Sequence, residues 1–133
     1  MTTHPPHTDP PGSRRRSRLV LVVDDEAALR RSLTLMLSDA GFETIEAEDG
    51  TLALDLVRAM RDEIAVVVLD VAMPNMDGIE AARRIRELRS EMPIVLMSGY
   101  PQEPIAGTLA LAKPFDPETL LRILYRAIGG VSR

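Results

Sequence analysis

The sequence contains no cysteine, only one lysine (Lys113), and only two histidines, His4 and His7, both at its extreme N-terminus. Without thiols it has no disulfide, no thiolate nucleophile and no cysteine-ligated metal. Past residue 7 there is no imidazole for base catalysis, phosphodonation or zinc binding. No apolar run approaches the length needed to span a bilayer, and the N-terminus lacks the apolar stretch of a signal peptide, so a cytoplasmic location is expected. What remains is 133 residues of which 45% are hydrophobic, enough for one domain with its own core and too short for much else.

Charge is unevenly placed. The net value of −4 combines residues 1–18, which carry Arg14, Arg15, Arg16 and Arg18 against Asp9, with a distinctly acidic remainder. An acidic body argues against direct binding of nucleic acid. Residues 1–17, rich in Pro and Arg and without periodicity, are expected to form a disordered leader. The domain is expected over 18–130, with a short tail at 131–133.

From Arg18 onward strand and helix patterns alternate. RLVLVV (18–23) reads as a buried strand, and Leu29, Leu33, Met36, Leu37 and Ala40 form a helical stripe closed by Gly41. FETIEA (42–47) is a second strand, followed by a helix with Leu52, Leu56, Val57 and Met60 inward. IAVVVL (64–69) is the natural central strand. A third helix is expected from Asp77, with Glu80 completing a capping box. PIVLM (93–97) and TLALA (108–112) supply two more strands. A last helix starts with Asp116 as N-cap and Pro117 at N1. Such alternation predicts an α/β fold, a parallel sheet with helices on both faces.

Function in an open α/β sheet collects beyond the carboxyl ends of the strands. There stand Asp24, Asp25 and Glu26 after the first strand and Asp70 after the third. Ser98-Gly99 follow the fourth and Lys113-Pro114 the fifth. Crowded carboxylates need a cation, and with only oxygen ligands on offer Mg²⁺ suits them best. A carboxylate can also serve as a nucleophile and become an aspartyl phosphate. Taken singly, each element has an ordinary reading: a helix start, a turn, a strand terminator. Lys113 is harder to set aside, because every other basic residue is Arg and a compact ammonium is not interchangeable with a planar guanidinium.

VLVVDDE, VVVLDVAMPNMDG, IVLMSG and AKPF together resemble the motifs of the response-regulator receiver domain, over roughly residues 18–130. The resemblance implies a doubly wound, flavodoxin-like, five-stranded parallel sheet of order 2-1-3-4-5. It implies Asp70 as phosphoacceptor and Ser98 and Lys113 as contacts to the phosphoryl group. For Mg²⁺ it implies Asp25 and Asp70 through their side chains, Ala72 through its backbone carbonyl and Asp24 largely through water. A cis peptide between Lys113 and Pro114 is also implied.

Two departures from the family pattern stand out. The Ser98–Lys113 interval is short by roughly two helical turns, so the fourth helix is expected to shrink to a stub around Gln102–Ala106. Ala110 stands where receivers usually carry a switching Tyr or Phe. The short interval is similar to that of receivers attached to hybrid histidine kinases.

The expected function is that of a two-component signalling phosphoprotein rather than an enzyme. It would accept its phosphoryl group from a histidine kinase or histidine phosphotransfer protein, assist only its own phosphorylation and dephosphorylation, and switch the binding of an unidentified downstream protein. No effector domain is expected after the last helix. The alternative is a receiver-shaped adaptor that works without phosphate. An aspartate-nucleophile phosphatase is disfavoured, because Ala72 stands where its second aspartate is needed.

Overall fold

A computed structural model describes residues 18–100 and 105–129. The expected leader and the tail 131–133 lie outside them. Five strands and four helices are described: β1 (Leu19–Val23), α1 (Ala27–Asp39), β2 (Glu43–Ala47), α2 (Gly50–Met60), β3 (Ile64–Asp70), α3 (Gly78–Leu88), β4 (Ile94–Ser98), β5 (Thr108–Ala112) and α4 (Pro117–Gly129). The strands form one parallel sheet of order β2-β1-β3-β4-β5, the flavodoxin-like order.

Successive strand residues point to opposite faces, and each face has its own core. Leu21, Val67, Leu69 and Leu96 pack against α2 and α3 through Ala53, Leu54, Val57, Ala81, Ala82 and Ile85. Val22, Val68, Val95, Met97 and Leu111 pack against α1 and α4 through Leu33, Leu37, Leu120 and Leu124. A register shift between Leu19 and Val20 pairs Leu19 with Ile64 and Val20 with Val66, so Ala65 is the additional residue. That one-residue bulge puts Ile64 on the same face as Val67 and Leu69.

Helix ends follow their local chemistry. Asp49, Asp77 and Asp116 each accept a backbone N–H three residues on, from Leu52, Glu80 and Thr119. Gly41 ends α1 at φ 92°, a left-handed conformation that costs glycine little. Two details differ from the sequence expectation. The Glu80 carboxylate does not fold back to complete a capping box; it is held by Arg83 and by Arg84 at 2.7 Å, and these cations lower its pKa. Leu52 is exposed, and Ala53 and Leu54 take the inward positions of α2.

The link from β4 to β5 covers only residues 99–107, short for a parallel crossover. Most of the helical stub expected at Gln102–Ala106 lies outside the described residues, and Ile105–Gly107 form no helix. In consequence Ala110 and Ala112, on the β5 face opposite Leu111, are exposed.

Candidate functional site

Strand register alone brings the polar residues together. Val23 pairs with Leu69, so Asp24 emerges beside Asp70, which pairs with Met97; Ser98 pairs with Ala112, and Lys113 follows. The ladder continues past the strand ends, with Val71 N–H donating to Met97 O at 2.9 Å and Lys113 N–H to Ser98 O at 2.8 Å. Four strands therefore hold the cluster on backbone hydrogen bonds.

Oxygens of Asp24, Asp25 and Asp70 lie within 4.8 Å of one another. Asp24 is fully buried and Asp70 nearly so, whereas Asp25 is exposed. One Asp24 oxygen accepts the Glu26 N–H at 2.9 Å. Its other oxygen, Oδ2, is buried without a hydrogen-bond partner among the described residues. Burial pushes the Asp24 carboxyl above the usual aspartate range; Asp70 and Asp25 push the same way, and the Glu26 N–H and Lys113 oppose them. Three carboxylates with an orphaned, acceptor-only oxygen among them fit a hard divalent cation such as Mg²⁺.

Asp70 Oδ1 accepts from Lys113 Nζ at 3.2 Å and weakly from the Ala72 N–H at 3.3 Å. The Lys113–Pro114 peptide is cis, as the family resemblance implied. Ser98 Oγ makes no hydrogen bond to Asp70. It donates to Tyr100 O at 2.6 Å and accepts the Tyr100 N–H at 3.1 Å. Beside Lys113 a largely apolar cleft of about 380 Å³ opens between α1 and the loop after β5, lined by Leu29, Met36, Lys113, Pro114 and Phe115.

Two contributors escaped the sequence reading. Gly78 has its N–H on Val71 O at 2.8 Å, and a Cβ there would run into the Asp70 carbonyl. Glycine lets α3 start hard against the end of β3, close enough to fix the Asp70 loop. Only the Gly after Asp77 hinted at this. Arg30 donates to Asp24 O at 2.6 Å and to Glu46 at 2.8 Å, tying α1 to the acidic turn; nothing in its spacing marked it.

The match to known proteins follows the same residues. The profile of the response regulator receiver domain covers residues 20–125, and the chain belongs to that family. It is 41% identical over 109 residues to the response regulator MprA of Mycolicibacterium vanbaalenii, covering 77% of this chain and 46% of that protein. The chain thus spans about half the length of this curated relative. Among solved structures it resembles the chemotaxis protein CheY4 of Vibrio cholerae, with TM-score 0.76, 34% identity, and 84% and 98% of the two chains covered. It also resembles the receiver domain of the sensor histidine kinase PA1611 of Pseudomonas aeruginosa, with TM-score 0.77, 26% identity, and 86% and 99% covered. That structure has a magnesium ion coordinated in its active-site cleft.

Proposed function

We propose that Asp70 accepts a phosphoryl group from a phosphohistidine on a histidine kinase or phosphotransfer protein, and that the aspartyl phosphate switches the binding of a downstream partner. The observation that carries this reading is the placement of Asp70. Its carboxylate lies within reach of the only lysine ammonium of the chain and of two further carboxylates, at the end of a strand against which Gly78 closely packs.

In the transfer, an Asp70 carboxylate oxygen attacks phosphorus and the donor's P–N bond breaks, leaving a neutral or protonated imidazole. Lys113 then trades its bond to Asp70 for one to a phosphoryl oxygen, and the Ser98 hydroxyl donates to another. Asp24, Asp25, Asp70 and the Ala72 carbonyl are the groups that would hold Mg²⁺. The bound ion supplies charge compensation for the phosphoryl oxygens, among carboxylates that would otherwise repel them. The cleft that Lys113 helps to line is largely apolar, which suits apolar side chains of a partner that carries the phosphohistidine. Hydrolysis of the acyl phosphate by water returns the site to its starting state without any further protein group being consumed.

Incubation with phosphoramidate, a small P–N phosphodonor, tests this reading. With Mg²⁺ the intact mass should gain one phosphoryl group, which mild alkali removes; with a chelator the gain should be lost. A protein that stays unmodified in Mg²⁺ yet retains its binding partner would favour the phosphate-independent adaptor.

A further inference from the structure

Ser98 holds a single hydroxyl hydrogen, and in this structure that hydrogen is given to the Tyr100 carbonyl at 2.6 Å. The same oxygen accepts the Tyr100 N–H at 3.1 Å, so residues 98–100 form a small closed ring of hydrogen bonds. A phosphoryl oxygen on Asp70 only accepts. If Ser98 donates to it, as in the reading above on which this inference rests, the bond to Tyr100 O must break. The rotation that turns Oγ toward Asp70 takes it away from the Tyr100 N–H as well. Charge-assisted bonds are roughly twice as strong as neutral ones, so the exchange favours the phosphoryl group. The released Tyr100 groups are at the surface, where water satisfies them.

Among the described residues nothing packs against Gly99 on the side where its side chain would be, because a Cβ there would meet no atom within 4 Å. Tyr100 itself is 81% exposed, the most exposed large apolar side chain among the described residues. The usual receiver aromatic on β5 is Ala110 here, and an alanine has no rotamer with which to report. We propose that Tyr100 is the readout residue of this receiver: loss of the Ser98–Tyr100 ring on phosphorylation re-aims the Tyr100 side chain and alters the surface a partner meets. The aromatic switch thus sits on the loop after β4, two residues past the hydroxyl, and is coupled to it through backbone.

The sequence offers its own reporter, since Tyr100 and Tyr125 are its only tyrosines. Tyr125 lies on α4 beside Phe42, with ring centroids 5.6 Å apart, and serves as an internal reference. Full-length protein labelled with 3-fluorotyrosine should give two ¹⁹F signals, assigned with Tyr125→Phe. With Mg²⁺ and phosphoramidate the Tyr100 signal should move in proportion to the phosphoryl mass gain while the Tyr125 signal stays. Ser98→Ala, compared at equal phosphoryl occupancy, should lose most of that movement, and Ser98→Thr should restore it. An equal movement in Ser98→Ala would overturn the proposal, because the shift would then report only the nearby charge. Independently of any variant, the Tyr100 amide should exchange faster with solvent in the phosphorylated wild type. Unchanged exchange at full occupancy would also overturn it. Absence of any mass gain in the wild type instead refutes the phosphoacceptor reading, and the readout with it.

Discussion

β3 and β5 lie one strand apart in the same sheet, and they are built to different standards. In β3 every residue but Ala65 is buried, and helices cover it on both faces. In β5 only Leu111 is buried; Thr108 and Leu109 are half-buried and Ala110 and Ala112 exposed. β3 ends in Asp70 and β5 ends next to Lys113, so one ion pair joins a strand buried along nearly all its length to one buried at a single residue. The contrast teaches where this receiver holds still and where it can change. The carboxylates rise from β1 and β3, whose positions are fixed from both sides, while Ser98 and Lys113, the proposed contacts to the phosphoryl group, sit at the ends of β4 and β5, beside the short link between them.

The contrast can be tested first in stability. Leu69→Ala empties a fully buried position between two helices and should cost about 2–5 kcal/mol in chemical denaturation. Leu109→Ala, half-buried on β5, should cost about 1 kcal/mol or less. Equal costs would mean that β5 is packed as firmly as β3.

Lys113→Arg asks whether the weak side nonetheless makes a specific contribution. A surface lysine would tolerate arginine within about 0.5 kcal/mol and with no change in activity. We expect that stability but a fall in phosphorylation rate of about tenfold or more, because a planar guanidinium cannot occupy the place of a point-like ammonium between Asp70 and the phosphoryl group. Rates from stopped time points with phosphoramidate decide between them.

The lifetime of the aspartyl phosphate extends the test, on the expectation that Ala72 and Tyr100, two residues past Asp70 and Ser98, flank the approach of hydrolytic water. Ala72, after β3, has no polar group to orient a hydrolytic water, and Tyr100, after β4, brings a ring. Replacing both with polar residues, as Ala72→Asn with Tyr100→Glu, should speed dephosphorylation by roughly tenfold, about 1.4 kcal/mol in barrier. The decay of the phosphorylated intact mass after donor removal is the measurement, and a double variant that decays no faster would refute the water-positioning argument.

A smaller effect concerns pH. The Asp24 carboxyl is raised by burial, so between the unfolded value of 3.8 and its higher folded value the native state holds a proton that the unfolded chain has released. Stability from this group is therefore lost as pH rises through that window, and the penalty persists at neutral pH. Asp24→Asn should make the metal-free protein more stable than wild type at pH 7, with the gap closing toward pH 3. Mg²⁺ should reverse the order at pH 7 by binding the native wild type. Thermal melts at the two pH values, with and without Mg²⁺, read both signs.

Much of this was legible in the sequence for physical reasons. β1, β3 and β4 are unbroken apolar runs because both of their faces are covered, and the Asp caps of α3 and α4 stand directly before their helices. The site followed from the rule that polar residues converge past the strand ends; strand order came with the family resemblance. α2 was misread at Leu52 because TLALDLV alternates as a strand does, leaving the inward face of the helix undetermined until Gly50 and Asp49 set its start. The role of Gly78 was hidden because a close backbone approach leaves no side-chain pattern. The Ser98–Tyr100 ring was hidden because one serine hydroxyl has several partners within reach, and only coordinates show which it takes.

The central claim is that Asp70 becomes phosphorylated with the help of a divalent ion held by its acidic neighbours. Its most direct test is proteolysis and mass mapping of the protein after treatment with acetyl phosphate, in Mg²⁺ and in chelator, alongside Asp70→Asn. The account predicts one phosphoryl group on the peptide containing Asp70, present only with Mg²⁺ and absent from Asp70→Asn. A phosphoryl group gained in equal yield by Asp70→Asn, or placed on any other residue, would contradict it.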